Sequence, residues 1–533
     1  MVYEEPETEM QRKLASVWSE VLHIEKVGKN DNFFQLGGHS LNGIMVASKI
    51  RTNIGLDISL KDIFKYKTLE ELAALMERLE LKDTYNISHV DNDSDIYPVT
   101  FEQLGIYLAN SKTTNYNISF VSELTGTIDI KKLIESIDKI FERHDILKTS
   151  FIYNNGELVQ KVNRGLKCLT QVINVNSEDD VNEIIRKFNT PFDLATAPLF
   201  KSLILILNET KVYLLFDIHH IIFDGYSIAY FMKECFLLYN NEKLPETKIQ
   251  YNDYALWQRK FKQSEEYIKQ EEYWLNVFSH PIEELKLPYD YSAEMKPEGD
   301  YISGELSRNQ IFKLANETDT TGFMVCLTIY AVLLHKYTQQ EMFVIGVPII
   351  GRKNSDLEDQ VGMFVKSIPC ICSINPNNSF VDILKSIKKN VLEAFDNQDY
   401  AFGELQSKLG VDKKKQRGLF QTMMIMQNIE YPKIEFEDIK VNSYAIYNHG
   451  AKYPVELFIY DVDDTLKVEL NYACNMFKRE SIKTMFDDLV KIADIVTQDK
   501  EIKVEDIVIV DERLVETIKE EMDELQDEMN FDF

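Results

Sequence analysis

The stretch Val212–Gly225, VYLLFDIHHIIFDG, decides how the larger part of the chain reads. Val212–Ile218 is an apolar run of strand length, and Leu203–Leu207 before it pairs with it as a hairpin around Asn208, Glu209 and Thr210. Tyr226–Tyr239 then reads as a helix. His219 and His220 therefore fall at the end of a buried strand, and Asp224 and Gly225 turn into the helix. A lone buried histidine is usually a satisfied core residue. Two in a row, followed by Asp-Gly at a strand-to-helix turn, point to a site, where an imidazole positions or deprotonates a nucleophile. Asp224 fits three roles: orienting a histidine, pairing with a cation, or capping the helix.

The same mixture of strands and helices extends on both sides. Phe120–Leu124 reads as a strand and Ile128–Phe141 as an amphipathic helix. Thr149–Tyr153 and Leu158–Val162 read as a hairpin around Asn154-Asn155-Gly156. Further on come a strongly apolar helix over Gly322–Tyr337, a strand over Met342–Val347 and a helix over Phe380–Phe395. Strands over Val455–Tyr460 and Leu466–Tyr472 and a helix over Phe477–Ile495 close the pattern. Two α/β halves of comparable size predict a two-lobed domain with a cleft between the lobes, over 97–510, with the first lobe about 97–270 and the second about 271–510. Residues 1–81 differ: Leu14, Val17, Trp18, Val21 and Leu22 recur at helical spacing, as do Leu41, Ile44, Met45 and Ile50, and then Leu69, Leu72 and Leu75. A small all-α bundle is expected there. Residues 82–96, KDTYNISHVDNDSDI, read as a polar linker, and 511–533 as an acidic tail, helical or disordered.

Composition narrows the function. The 533 residues carry 59 Lys and Arg against 87 Asp and Glu, a net charge of −28, which argues against nonspecific nucleic-acid binding. The opening MVYEEPETEM lacks the basic, apolar character of a signal peptide, and no apolar run has bilayer length, so a soluble cytoplasmic protein without membrane contact is expected. None of the six cysteines forms a CxxC pair. Cys370 and Cys372 fall two apart in an extended run, on one face of a strand, and are expected as buried free thiols, with neither metal nor disulfide.

A second motif lies in the helical segment: DNFFQLGGHSL, Asp31–Leu41. Gly37 and Gly38 permit a tight turn, and Ser40 opens a helix whose free N–H groups favour an anion. Taken alone, a serine there is as readily a helix cap as a modification site. The whole stretch resembles the phosphopantetheine attachment motif of peptidyl carrier domains, D-x-F-F-x-x-G-G-x-S. HHIIFDG, His219–Gly225, resembles the HHxxxDG signature of the condensation domains of nonribosomal peptide synthetases. Further segments resemble that family in order: RHDILKTSF (Arg143–Phe151), PFDLATAPLF (Pro191–Phe200), YNDYALWQR (Tyr251–Arg259), IGVPIIGR (Ile345–Arg352), VGMFVKSIP (Val361–Pro369) and NQDYAFGELQSKL (Asn397–Leu409). There are departures. TFEQLGIY (Thr100–Tyr107) keeps Gln103 but has Gly105 where the family has Arg. Lys366 replaces an Asn, Asn397 a His, and Phe223 a small residue. Gly105 and Phe223 are expected to act on substrate choice or the shape of the tunnel.

The resemblance implies a four-helix carrier bundle followed by two chloramphenicol-acetyltransferase-like lobes in a V with a tunnel between them. It implies a 4′-phosphopantetheine arm on Ser40 and amide formation between an acceptor amine and the donor thioester carried there. His219, His220, Asp224 and Gly225 form the candidate catalytic set. His220 orients the amine and takes its proton, the Gly225 N–H helps hold the oxyanion, and Asp224 keeps the motif in shape, paired with Arg352. Holding two tethered substrates in one tunnel makes the step effectively unimolecular. The implied partners are an upstream adenylation domain, a downstream acceptor carrier domain and a phosphopantetheinyl transferase, with the chain itself a monomer. No adenylation domain is recognisable, so the chain is expected to be a fragment or to be fed by partners. An epimerisation domain shares HHxxxDG, but carriers before such domains tend to read GGDS, not GGHS; the same tendency predicts an L-configured donor. A heterocyclising domain would carry DxxxxD. A silent recruitment scaffold would not need His219, His220 and Asp224 intact.

Overall fold

The computed structural model describes residues 3–79, 87–90, 94–109, 114–411, 418–427, 439–445, 450–462 and 464–509; the acidic tail at 511–533 lies outside them. Helices Glu9–Leu22, Ser40–Ile54, Leu60–Lys65 and Leu69–Met76 form the N-terminal bundle. Three of them begin where a hydroxyl can accept from the third helical N–H, at Thr8, Ser59 and Thr68, each in a capping box. Their apolar stripes close a core around Leu14, Trp18, Ile50, Ile63 and Leu72.

The rest is the expected two-lobed α/β domain. The first lobe holds a five-stranded sheet in the order Ile439–Ala445, Asn117–Gly126, Lys211–His219, Phe200–Asn208, Gln171–Asn174. Beside it lies a three-stranded sheet of Ile96–Pro98, Glu157–Val162 and Thr149–Asn154. The hairpin turn expected at Asn154–Gly156 is present, with Asn155 (φ 51°) and Gly156 (φ 86°) in the left-handed region that tight hairpins need. The second lobe holds a six-stranded sheet in the order Lys366–Ser373, Met342–Ile349, Thr422–Gln427, Val455–Val462, Thr465–Ala473, Gly299–Leu306. The apolar helix Gly322–Thr338 is that lobe's central core element, and among the described residues no single helix is long and apolar enough to cross a membrane. Cys370 and Cys372 are buried on one face of strand Lys366–Ser373 of this sheet, as free thiols.

The lobes exchange material, which a division at residue 270 does not capture. Ile439–Ala445 leaves the second lobe's sequence to pair antiparallel with Asn117–Gly126 of the first. Conversely, Leu357, Val361, Met363 and Phe364 enter the first lobe's core. Tyr267 and Trp274, close to that division on either side, both pack in the core of the second lobe. The polar linker is partly pinned. Within 87–90, Ile87 is buried, the His89 ring lies 2.9 Å from the Asp253 carboxylate, and the Val90 N–H donates to the same carboxylate at 2.9 Å.

The bundle rests on the second lobe. The Arg51 guanidinium donates to the Lys353 carbonyl at 2.7 Å, Lys49 pairs with Glu358 at 3.2 Å and Lys67 with Asp319 at 2.6 Å. Leu60 and Phe64 join the apolar core of that lobe. Burial pushes the Glu358 carboxyl up to about 7 against the opposing pull of Lys49.

Candidate active site

Strand Lys211–His219 ends where the backbone tightens into a short 3-10 turn, His220–Ile222, and helix Gly225–Tyr239 starts three residues later. The two adjacent histidines meet different surroundings at that turn. His219 is 1% exposed, sits between Tyr116 and Phe192, and accepts the Ile221 N–H on Nδ1 at 3.1 Å. Its proton therefore belongs on Nε2, which has no hydrogen-bond partner among the described residues. Burial, first, and then the charges of His220 and Lys452 push its pKa down to about 3, so it is neutral at physiological pH.

His220 is only partly buried, and its Nδ1 lies 2.9 Å from the Phe223 carbonyl. A carbonyl can only accept, so Nδ1 carries the proton and Nε2 keeps a free lone pair. Burial and the Lys452 charge lower its pKa to about 4, with Asp224 opposing them. The ring is thus a neutral base, and no described residue takes up its acceptor nitrogen.

Asp224 caps the following helix. Its Oδ1 accepts from the Ser227 N–H at 2.8 Å, the Ser227 hydroxyl at 2.7 Å and Arg352 Nη2 at 2.9 Å, and its Oδ2 from the Phe364 N–H at 3.0 Å. Two of the roles open for Asp224, cap and cation partner, are both filled, and its oxygens are committed to these four donors. Arg352 is held in turn by the Leu357 carbonyl at 3.1 Å and by the faces of Phe364 and Tyr226, 4.1 and 4.8 Å from the ring centroids. Gly351 precedes it with φ 70°, and a Cβ there would fall 1.9 Å from the Phe364 carbonyl oxygen, so only glycine lets this strand end approach. Gly225 is the first residue of the helix, where a backbone N–H has no intrahelical acceptor.

The departures from the family pattern resolve individually. Phe223 does not shape the space beside the histidines: it is fully buried and packs edge-on against Phe231 at 5.9 Å in the first lobe's core. Lys366 ties Asp399 of the NQDYAFG segment at 2.6 Å, and Lys353 ties it at 2.9 Å. The two ammonium groups hold the Asp399 carboxyl well below the usual carboxylate range despite its burial. Open space surrounds Gly105, and nothing in the structure requires a glycine there. Gln103 is buried and donates to the Ile221 carbonyl at 3.3 Å, bracing the histidine turn.

In the bundle, Ser40 is the first helical residue and His39 holds the capping position. Gly37 has φ 97°, and a Cβ on Gly38 would lie 2.5 Å from the Phe33 ring. The turn into Ser40 therefore needs both glycines, and the helix start it presents fits a phosphate ester.

Lys452 and Tyr116, which neither motif contains, lie next to His219. The Lys452 ammonium lies 5.1 Å from the Tyr116 ring, and that ring stacks at 6.5 Å on His219. Among the described residues no group of His, Cys, Asp and Glu is arranged to hold a metal ion.

Comparison with known proteins agrees with this architecture. Residues 93–518 match the condensation domain family and residues 12–76 the phosphopantetheine attachment site family. The chain belongs to the condensation-domain family of nonribosomal peptide synthetases, amide-bond-forming acyltransferases, here preceded by a carrier domain that takes a covalent 4′-phosphopantetheine. It is 34% identical over 500 residues to bacitracin synthase 3 of Bacillus licheniformis, covering 92% of this chain and 8% of that protein. It is also 34% identical over 516 residues to surfactin synthase subunit 2 of Bacillus subtilis (strain 168), covering 95% of this chain and 14% of that protein. The chain thus spans a small part of the curated relatives it matches. In fold it resembles the X-domain from teicoplanin biosynthesis (TM-score 0.73, 18% identity, 79% of this chain and 99% of that one). It likewise resembles the condensation domain of the monacolin K polyketide synthase MokA (TM-score 0.69, 20% identity, 78% and 100%).

Proposed function

We propose that this chain joins a donor acyl group carried on the phosphopantetheine arm of Ser40 to the amine of an acceptor aminoacyl thioester, with His220 Nε2 receiving the amine's proton. The observation that carries the reading is the hydrogen bond from His220 Nδ1 to the Phe223 carbonyl, which leaves Nε2 as a neutral acceptor in a partly buried site. A thioester is already activated, and an unperturbed α-amino group, which titrates at roughly 7.7–8.0, has a useful neutral fraction near neutral pH. The protein's task is therefore mainly to hold both partners in register. Asp224 and Arg352 keep the turn in shape, His219 supports it from within the wall, and the Gly225 N–H faces the developing oxyanion. A phosphopantetheinyl transferase modifies Ser40, an adenylation domain upstream supplies the donor, and a carrier domain downstream brings the acceptor. The chain works as a monomer in the cytoplasm, and GGHS goes with an L-configured donor.

The test loads Ser40 with an aminoacyl group and adds a separately loaded acceptor carrier. Intact mass should show the donor leaving Ser40 and the acceptor gaining it, only when both are loaded and far more slowly without His220. Inversion of the donor without an acceptor would mark an epimerase, and no transfer at all a recruitment scaffold.

A further inference from the structure

Lys452 precedes strand Val455–Val462 and comes from the second lobe, whereas Tyr116, His219 and His220 come from the first. Its side chain is accessible to water, yet burial is the dominant influence on the ammonium and pulls its pKa below the ordinary lysine value. Within the described residues the ammonium makes no hydrogen bond and no ion pair, and it lies 5.1 Å from the centroid of the Tyr116 ring. The buried Glu456 spends Oε2 on the Lys452 backbone N–H at 3.0 Å, not on the ammonium. Among the described residues no side chain or carbonyl takes up the three donors of this cation, and the Tyr116 ring it lies over stacks on His219. Its charge is felt at both histidines, lowering each.

We propose that Lys452 is a catalytic residue that donates to the carbonyl oxygen of the donor thioester and stabilises the negative charge that develops there. The inference rests on the amide-forming reading above. In the step it serves, the amine lone pair forms the new C–N bond while the carbonyl π pair moves onto oxygen, opposite Lys452. The amine's proton passes to His220 Nε2. The oxygen pair then re-forms the carbonyl, the C–S bond breaks with its electrons on sulfur, and the sulfur takes the proton from His220. Lys452 and His220 thus act from opposite lobes on the two charges that separate during attack. A fixed cation also keeps His220 neutral before the amine arrives.

Two readouts test it on the full chain. In the first, Lys452→Met and Lys452→Arg are compared with wild type in single-turnover transfer from loaded Ser40. Losing one oxyanion donor typically costs about 10²–10³-fold in rate. Lys452→Met should fall in that range with unchanged melting temperature, and Lys452→Arg should recover part of the loss. The second readout needs no loaded substrate: in the unloaded chain, the His220 ring titration followed by NMR should move up from about 4 in Lys452→Met. Wild-type transfer by Lys452→Met, or an unmoved His220 titration, overturns the inference. So does a slow Lys452→Met that melts lower and is not rescued by Arg, which marks a structural role. Failure of the amide-forming reading is distinguishable, because the wild-type chain itself would then pass no donor from loaded Ser40 to the acceptor, whatever residue stands at 452.

Discussion

Replacing Asp224 by Ala removes a carboxylate that accepts from the Ser227 N–H and hydroxyl, Arg352 and the Phe364 N–H. Arg352, 3% exposed, then keeps its charge with, among the described residues, only the Leu357 carbonyl, Ser227 and two aromatic faces around it. Breaking a buried pair by removing one partner typically costs about 3–5 kcal/mol, and the lost helix cap, about 1 kcal/mol, is part of that figure. Unfolding entropy near 2.1 cal/mol/K per residue, over a cooperative unit of roughly 400 residues, makes 1 kcal/mol worth about 1.2 °C. The expected fall in melting temperature is therefore about 4–6 °C. Condensation should fall with it, since the Phe223 carbonyl that fixes His220 adjoins Asp224. Arg352→Met should be milder, because Asp224 keeps the helix and Phe364 donors. The double variant should be less damaged than the sum of the two singles, because no unpaired charge remains. Calorimetry on the four proteins reads all of this. A melting temperature within about 1 °C of wild type in Asp224→Ala, with transfer abolished, would refute the structural role and assign the carboxylate to the chemistry.

Ser40→Ala should abolish the mass gain from coenzyme A and a phosphopantetheinyl transferase; equal gains in both proteins would move the attachment elsewhere. His220→Ala should slow transfer by about 10²–10⁴-fold while leaving Ser40 loading intact, as measured by single-turnover mass spectrometry. His219 is held neutral down to about 3 when folded but takes a proton near its ordinary 6.5 when unfolded. The unfolded state then binds more protons through that window, so wild-type stability falls as pH drops from about 6.5 toward 3. Relative to wild type, His219→Gln should therefore gain stability as pH falls through the same window in denaturant titrations, and a constant offset would contradict it. Lys49→Ala should speed amide exchange at 49–54 and 353–358 by weakening the bundle's seat on Glu358.

The local elements were legible in the chain. The hairpin at Asn154–Gly156 and the strand, turn and helix over 211–239 follow from alternation, apolar runs and residues that tolerate a left-handed backbone. These signals act over a few residues, where backbone sterics and side-chain spacing dominate. The motif residues Ser40, His219, His220, Asp224 and Gly225 were legible for the same reason, because turn and helix start are local events. The pairing of Arg352 with Asp224 was reachable only through the resemblance, as the two are 128 residues apart.

Tertiary packing decided the rest. Nothing in VNSYA at 441–445 says that this strand will cross to the other lobe; register with Asn117–Gly126 and the packing of the half-buried Ile439 and Val441 on the first lobe's core select that partner. Phe223 reads equally well as a tunnel residue or a core residue until the Phe231 ring claims it. The two histidines are adjacent and chemically identical in the sequence. Only the folded turn gives the Ile221 N–H to one and the Phe223 carbonyl to the other, placing one ring in the wall and leaving a lone pair on its neighbour. Lys452 carries no motif, and its position beside them follows from two lobes closing on one space. A charge's neighbours across such a space depend on packing between distant segments, which the local pattern of either segment does not encode.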